Sequence, residues 1–325
     1  MSDRLNKTNA PADRQRPRIR AFPTRRALIG GGAAVAASMV LPRVVGAQPS
    51  GVATRRIPAT GEAVPAVGLG SWITFNVGND PVLRDECAAV MEAFFSAGGR
   101  VIDSSPMYGS SQAVIGHGLE KLGRPDNLLA ADKVWTSSPS DGPADIRQSL
   151  ENWAIPAFDL LQVHNLVGWQ AHLPLLFEMK AAGDLRYVGI TTSEGRRHDT
   201  FVEIMRRYPL DFVQVTYNVL DREVESRILP LAQDRGIGVI VNRPFRQGAL
   251  TERLATEPMP EWASEIAASS WAQYILKFIL SHPAVTVAIP ATTRPDHAVE
   301  NVAAALGPLP DDSLREKMAA YIRDL

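Results

Sequence analysis

The sequence predicts an α/β protein whose strands and helices form a (β/α)8 TIM barrel. Short runs rich in β-branched residues alternate with amphipathic helical patterns eight times along the chain. Several of these runs are apolar at consecutive positions, as parallel strands covered on both faces are. A strand–helix unit repeated eight times favours a closed barrel over an open sheet, and the 278 residues that follow a basic leader suit one such domain.

Each of the eight predicted strands is short and ends near a polar residue. They are Ala66–Trp72, Val101–Asp103, Leu128–Val134, Leu160–His164, Val188–Thr192, Phe212–Tyr217, Gly238–Asn242 and Val285–Pro290. Ahead of the first strand, residues 54–64 contain a Thr60-Gly61 turn, which indicates a small hairpin that closes the bottom of the barrel.

The first predicted helix begins after Asp80-Pro81 and ends at Gly98-Gly99, with a capping residue, a proline in the first turn and a glycine stop. One face of this helix is apolar and consists of Leu83, Cys87, Val90, Met91 and Phe94. The lone cysteine is therefore expected to be a buried core residue, and no internal disulfide can form. Further helices are predicted over 112–122, 144–153, 175–182, 200–208, 229–235, 263–280 and 298–305.

Residues 1–47 have the layout of an export leader. A basic stretch ends in the pair Arg25-Arg26, an uncharged stretch runs from Ala27 to Pro42, and small residues precede a cleavage point near Ala47. The 16 uncharged residues are too few and too small to span a hydrocarbon core of ~30 Å. The segment resembles a twin-arginine signal peptide, which implies passage through the twin-arginine machinery, a periplasmic or otherwise exported barrel over 48–325, and no stable membrane span after processing. The alternative is a basic tail beside an uncleaved anchor.

Charge and missing motifs narrow the function. The leader has nine basic and two acidic residues, a net charge of +7, whereas the rest has 25 basic and 33 acidic residues, a net charge of −8. An acidic mature protein is unsuited to nucleic acid, whose phosphates require neutralisation. No Gly-rich dinucleotide fingerprint, P-loop, serine elbow or HExxH motif is present, and the dispersed histidines predict no metal site.

Polar side chains follow almost every predicted strand, at the end where barrel enzymes hold their chemistry. These residues are Asp103, Lys133, His164, Thr191, Thr192, Gln214, Asn242, Arg243 and Thr292. Taken singly, each has an ordinary structural explanation, such as a capped loop or a satisfied histidine. Together they predict a binding site.

The run Asp103-Ser104-Ser105-Pro106-Met107-Tyr108-Gly109 resembles the D-x-x-x-x-Y-G motif of the aldo-keto reductases. Lys133 and His164 match the family's lysine and histidine in order, spacing and strand position, and the resemblance spans roughly residues 55–310. It implies NAD(P)H-dependent reduction of an aldehyde or ketone. Tyr108 would be the proton donor, Lys133 would lower the tyrosine pKa, Asp103 would support the lysine, and His164 would orient the carbonyl.

The resemblance also assigns a cofactor site. Thr191, Thr192 and Gln214 stand where the family holds the nicotinamide carboxamide, although the usual pair is Ser-Asn. Asn242 replaces the aromatic residue that stacks on the nicotinamide, and Arg243 beside it is a candidate partner for the pyrophosphate.

At the adenosine end, Thr292 and Arg294 are candidates for a 2′-phosphate and Asn301 for the adenine, which favours NADP(H) over NAD(H). Trp72 and Trp135 occupy the family's substrate-pocket positions. With no dedicated charged cluster, the expected substrate is an uncharged or weakly polar small carbonyl compound.

Two other functions stay open. The Thr-Thr and Asn242 departures, and the absence of an obvious NADPH supply outside the cytoplasm, suit an exported nicotinamide-binding redox sensor or partner module with vestigial reductase activity. A barrel hydrolase with a metal site assembled from loops is the other alternative.

Overall fold

The computed structural model describes residues 51–325; residues 1–50, with the whole of the expected signal peptide, lie outside the described residues. Eight parallel strands form the barrel, and this confirms the predicted (β/α)8 class. A hairpin of β1 (Thr54–Arg56) and β2 (Ala63–Pro65) precedes them. The barrel strands are β3 (Leu69–Gly70), β4 (Val101–Asp103), β5 (Leu129–Val134), β6 (Leu160–Val163), β7 (Tyr187–Thr191), β8 (Phe212–Thr216), β9 (Gly238–Asn242) and β10 (Val285–Ala288).

Each barrel strand pairs with its neighbour in chain order, and the first strand returns to the last. Isolated parallel bridges join Val67 to Ala288 and Gly70 to Ala291. A Cβ added to Gly70 would lie 2.7 Å from the carbonyl oxygen of Ile289, so a glycine is needed where the two strand ends approach. The first strand is shorter than the predicted Ala66–Trp72 because its pairing across this closure is intermittent.

Ten α-helices lie in residues 51–325. They are α1 (Pro81–Ser96), α2 (Ser111–Leu122), α3 (Gly142–Trp153), α4 (Trp169–Ala182), α5 (His198–Arg207), α6 (Ile228–Arg235), α7 (Ala249–Leu254), α8 (Trp271–Leu280), α9 (Pro295–Ala303) and α10 (Asp312–Asp324). In that part of the chain, every helix is too short or too polar to cross a bilayer.

The first helix begins where the sequence predicts. Asp80 caps it, and its Oδ1 accepts from the backbone N–H groups of Val82 at 2.9 Å and Leu83 at 3.1 Å. Cys87 is buried on the apolar face, as expected, and burial raises the pKa of its thiol to about 11. Leu83 is 40% exposed, so the buried face begins one turn later than the pattern indicates.

The single helix predicted over 263–280 is wrong. The chain forms a 3₁₀ helix at Glu261–Ile266, and α8 starts separately at Trp271. Ala267 has a left-handed φ of 51°, which ends the first segment, and the Ser270 hydroxyl accepts from the Gln273 backbone N–H at 3.2 Å to cap the second. Helices α7 and α10 were not among the predicted elements.

The hydrophobic core has two layers, one between the sheet and the helices and one inside the barrel. The inner layer includes Val101, Leu160 and Phe212 together with Ile57 and Val64 of the hairpin region. These residues fill the amino-terminal half of the barrel, which the hairpin closes as predicted. The carboxyl ends of the strands are left for polar side chains.

Candidate active site

A buried lysine occupies the interior of the barrel. Because side chains alternate along a strand, Lys133 on β5 points inward and is 1% exposed. Its Nζ donates to Asp103 Oδ2 at 2.5 Å and to the Ser104 carbonyl oxygen at 2.7 Å. The Asp103 charge raises the pKa of Lys133 against the opposing effect of burial, so the ammonium form persists.

Asp103 is held by amide groups as well as by the lysine. Its Oδ1 accepts from Gln214 Nε2 at 2.8 Å and from Gln162 Nε2 at 3.3 Å. Gln162 lies opposite Lys133 in the β5–β6 register and therefore also faces inward. The two glutamines therefore bind the carboxylate oxygen that the lysine does not contact.

Tyr108 ends a 3₁₀ helix, Pro106–Tyr108, that follows β4. The Lys133 Nζ lies 5.0 Å from the centre of the tyrosine ring. Burial raises the pKa of the Tyr108 hydroxyl, and the Lys133 charge acts in the opposite direction. The lysine is therefore placed to stabilise a phenolate in a site that otherwise disfavours it.

His164 follows β6 and lies beside the tyrosine. The two rings meet edge to face, with centroids 5.7 Å apart and planes at 86°. Burial, with a further contribution from the Lys133 charge, lowers the pKa of His164 to about 2, so the ring is neutral. The structure thus brings together all four residues assigned from the sequence.

The residues expected at the nicotinamide lie on three neighbouring strands. Thr191 accepts from the Asn165 backbone N–H at 3.0 Å, and the Thr192 carbonyl oxygen accepts from Asn242 Nδ2 at 3.0 Å. Asn242 Oδ1 accepts from the Thr216 hydroxyl at 2.7 Å, and its Nδ2 lies 3.4 Å from Gln214 Oε1. Asn242 therefore ties β7, β8 and β9 together where the family's aromatic residue would stand.

Arg243 reaches across the mouth of the barrel. Its Nη2 contacts Glu194 Oε1 at 2.8 Å, and its guanidinium lies 5.6 Å from the centre of the Trp72 ring. The Trp72 ring is in turn 6.3 Å from that of Tyr108, so the tryptophan belongs to the site. Trp135 follows β5 and is 43% exposed at the rim.

The residues expected at the adenosine end follow β10. Thr292 is buried, and its hydroxyl accepts from the Arg294 backbone N–H at 3.1 Å. Arg294 is 61% exposed and forms a bidentate ion pair with Asp296, in which Nε donates to Oδ1 at 3.0 Å. Asn301 is buried on α9.

Sequence reasoning missed three contributors to this site. Ser104 offers its carbonyl oxygen to Lys133, Ser105 bonds His164, and Gln162 bonds Asp103. Gln162 carried a usable signal, because it is a polar residue inside the apolar run Leu160–Val163. The serines gave no signal of their own, since their partners, Lys133 and His164, lie far away in the sequence.

The (β/α)8 barrel, with a buried lysine–aspartate pair, a tyrosine and a neutral histidine at its carboxyl end, has the arrangement that the sequence resemblance implies. Residues 66–321 match the Aldo/keto reductase family model, and the chain belongs to that family. It is 27% identical to the NADH-specific methylglyoxal reductase of Escherichia coli (strain K12), over 63% of this chain and 72% of that protein. It is 30% identical to L-galactose dehydrogenase of Arabidopsis thaliana, over 64% of this chain and 69% of that protein.

Solved structures share the fold. An aldo/keto reductase from Klebsiella pneumoniae in complex with NADP and acetate has a TM-score of 0.68 at 23% identity, covering 81% of this chain and 93% of that one. The holo form of an aldo-keto reductase from Bacillus halodurans also has a TM-score of 0.68, at 20% identity, covering 83% and 96%.

Proposed function

We propose that this chain reduces an aldehyde or ketone to the alcohol, with a nicotinamide dinucleotide as hydride donor and Tyr108 as proton donor. The observation that carries the proposal is the position of Tyr108 between the Lys133 ammonium and the neutral His164 ring. Membership of the Aldo/keto reductase family supports the reaction class. Relatives named as a methylglyoxal reductase and as a sugar dehydrogenase support a small carbonyl compound as substrate.

The residues present suit the cofactor. Thr191, Thr192, Gln214 and Asn242 are neutral hydrogen-bonding groups on adjacent strand ends, the kind of partner that a carboxamide requires. Arg243 and Arg294 offer planar cations of the type that binds phosphate oxygens. Both arginines are already paired, with Glu194 and Asp296, so they would exchange a carboxylate for a phosphate on binding. When bound, the dinucleotide supplies the hydride.

The chain's own residues handle the proton. Tyr108 donates it to the substrate oxygen, and Lys133 stabilises the phenolate that remains. Asp103, held by Gln162 and Gln214, keeps the lysine in place. His164 hydrogen-bonds the substrate oxygen and thereby orients the carbonyl group.

Replacing Tyr108 tests the assignment. Tyr108→Phe removes the hydroxyl and keeps the ring, so turnover of a reactive aldehyde is expected to fall by about 10²- to 10⁴-fold while dinucleotide binding persists. Tyr208→Phe is the matched control, because Tyr208 packs on Phe177 and Trp169, away from the four catalytic residues. Equal rates for the two variants would refute Tyr108 as the donor.

We propose NADP(H) over NAD(H), on the basis of Arg294 after β10. The relatives point both ways, since one is named NADH-specific and the Klebsiella pneumoniae structure holds NADP. Arg294→Ala should raise the Kd for NADPH several-fold, because it removes a charge-assisted contact to the phosphate. The Kd for NADH should not change. A Kd for NADH at or below that for NADPH in the parent protein would overturn the preference.

We also propose that the barrel is exported through the twin-arginine route, on the basis of Arg25-Arg26 and the uncharged stretch that follows. Replacing both arginines with lysine should leave the full-length protein in the cytoplasm. Export of the lysine variant at the parent rate would count against this route.

The alternative of a nicotinamide-binding sensor draws on the Asn242 amide that stands in place of a stacking ring. If an added carbonyl compound oxidises the dinucleotide bound to the isolated protein only once, the sensor is favoured. Repeated turnover favours the enzyme.

A further inference from the structure

The hydroxyl of Ser105 contacts two parts of the active site at once. It lies 2.7 Å from His164 Nδ1, and it accepts from the Met107 backbone N–H at 3.2 Å. Ser105 is fully buried, and its backbone is extended where it caps the 3₁₀ helix that carries Tyr108. One side chain therefore joins the histidine to the segment that positions the tyrosine.

The direction of the Ser105–His164 hydrogen bond follows from the partners available. A serine hydroxyl has one hydrogen and can accept from two donors. The Met107 N–H already donates to the oxygen, and within residues 51–325 the only other hydrogen-bond partner of this hydroxyl is His164 Nδ1. If His164 donated instead, the serine hydrogen would be buried without an acceptor, which is an unfavourable arrangement. Ser105 is thus the donor and Nδ1 the acceptor.

The tautomer of the histidine is then fixed. A neutral imidazole carries one hydrogen, and Nδ1 uses its lone pair to accept from Ser105, so the hydrogen is on Nε2. Nε2 has no hydrogen-bond partner in the described part of the chain, and the His164 and Tyr108 rings meet edge to face with their centroids 5.7 Å apart. An N–H at this position donates to a carbonyl oxygen, whereas a lone pair there would repel it.

We propose that Ser105 is a positioning residue that holds His164 as the Nε2–H tautomer, so that His164 and Tyr108 both donate to the substrate oxygen. This deepens the function proposed above and concerns the same site. A donor aimed at an oxygen that gains negative charge is the kind of contact that lowers a barrier without adding to ground-state affinity.

Nitrogen NMR of the resting protein tests the tautomer without any turnover. In histidine-labelled protein, the two ring nitrogens of a neutral imidazole resonate far apart according to which one carries hydrogen, and His164→Gln identifies the His164 signals among those of the six histidines. We expect the hydrogen on Nε2 in the parent protein and a mixture of tautomers in Ser105→Ala. Ser104→Ala, in the neighbouring buried serine that bonds Ser111 at 3.0 Å, is the matched control and should keep the parent tautomer.

Kinetics provide the second readout. Ser105→Ala should lower kcat about 10- to 100-fold with an unchanged Kd for the dinucleotide, and Ser105→Thr, which keeps a hydroxyl, should recover most of the rate. Hydrogen on Nδ1 in the parent protein would overturn the proposal, and so would a Ser105→Ala variant with the parent tautomer and rate. Because the NMR needs no substrate, its failure is separate from failure of the Tyr108→Phe test.

Discussion

The buried pair of Lys133 and Asp103 should dominate the response of this protein to substitution. The lysine side chain is fully buried and the aspartate is 1% exposed. Removing one partner of such a pair leaves the other charge uncompensated, which costs about 3–5 kcal/mol. In Lys133→Met, Asp103 would still accept from Gln214 at 2.8 Å and from Gln162 at 3.3 Å. We therefore expect the lower end of the range, about 3 kcal/mol of unfolding free energy.

Thermal unfolding measures this loss. For a domain of this size, each kcal/mol shifts Tm by roughly 2–4 °C, so Lys133→Met should unfold about 6–12 °C below the parent protein. The double variant Asp103→Asn/Lys133→Met removes both charges, and it should recover at least half of the lost Tm because no unpaired charge stays buried.

Activity should not recover in parallel. Both variants lack the cation that opposes the effect of burial on the Tyr108 pKa, so both should reduce kcat by about 10²-fold or more. Unfolding of Lys133→Met within about 2 °C of the parent protein would show that no uncompensated charge stays buried. A double variant less stable than Lys133→Met would contradict the same explanation.

Two further predictions concern His164 and Arg243. The pKa of His164 is lowered from 6.5 to about 2 in the folded protein, so below pH 6.5 the unfolded chain binds more protons than the folded one. The free energy of unfolding should therefore decrease as the pH is lowered below 6.5, by up to about 1.4 kcal/mol per pH unit, and less steeply in His164→Asn. Urea unfolding at pH 5 and pH 8 measures the slope, and equal slopes in the two proteins would contradict the neutral ring. Glu194→Gln frees Arg243 and should lower the Kd for the dinucleotide several-fold, whereas Arg243→Ala should raise that Kd. Calorimetric titration measures both changes. Shifts of the Kd in the same direction would rule out competition between Glu194 and phosphate for Arg243.

The strand and helix pattern could be predicted because it depends on local periodicity, and the barrel strands lie where runs of β-branched residues predict them. The break within the helix expected over 263–280 could not be predicted, because the left-handed residue that ends the first segment is Ala267 and not a glycine. Asp103, Lys133 and His164 were predictable because strand ends converge on one face of a barrel. The partners of Ser105 and Gln162 are His164, just after β6, and Asp103 on β4, and each is 59 positions away, beyond the reach of any local pattern.

The same applies to charge pairing around the cofactor positions. The sequence indicates that Arg243 and Arg294 are cations near a phosphate site, and nothing in it shows that each already holds a carboxylate. Glu194 comes from the loop after β7 and pairs across to the residue after β9. Asp296 lies two residues from its partner, in the first turn of α9, where an acidic side chain is favoured whether or not it forms an ion pair. Cofactor affinity therefore depends on competition between carboxylate and phosphate, a balance that residue types alone do not define.

The five-residue interval between Asp103 and Tyr108 has a physical explanation in the segment that joins them. Asp103 supplies the lysine's counter-charge, Ser104 supplies a carbonyl oxygen, and Ser105 caps the turn and bonds His164. The remaining residues make one 3₁₀ turn that delivers Tyr108 to the same lysine. One residue of a 3₁₀ helix corresponds to roughly 120° of rotation, so an inserted residue would turn the tyrosine away from Lys133 while Asp103 stayed in place. The spacing is therefore set by the need for one short segment to hold both the ion pair and the proton donor.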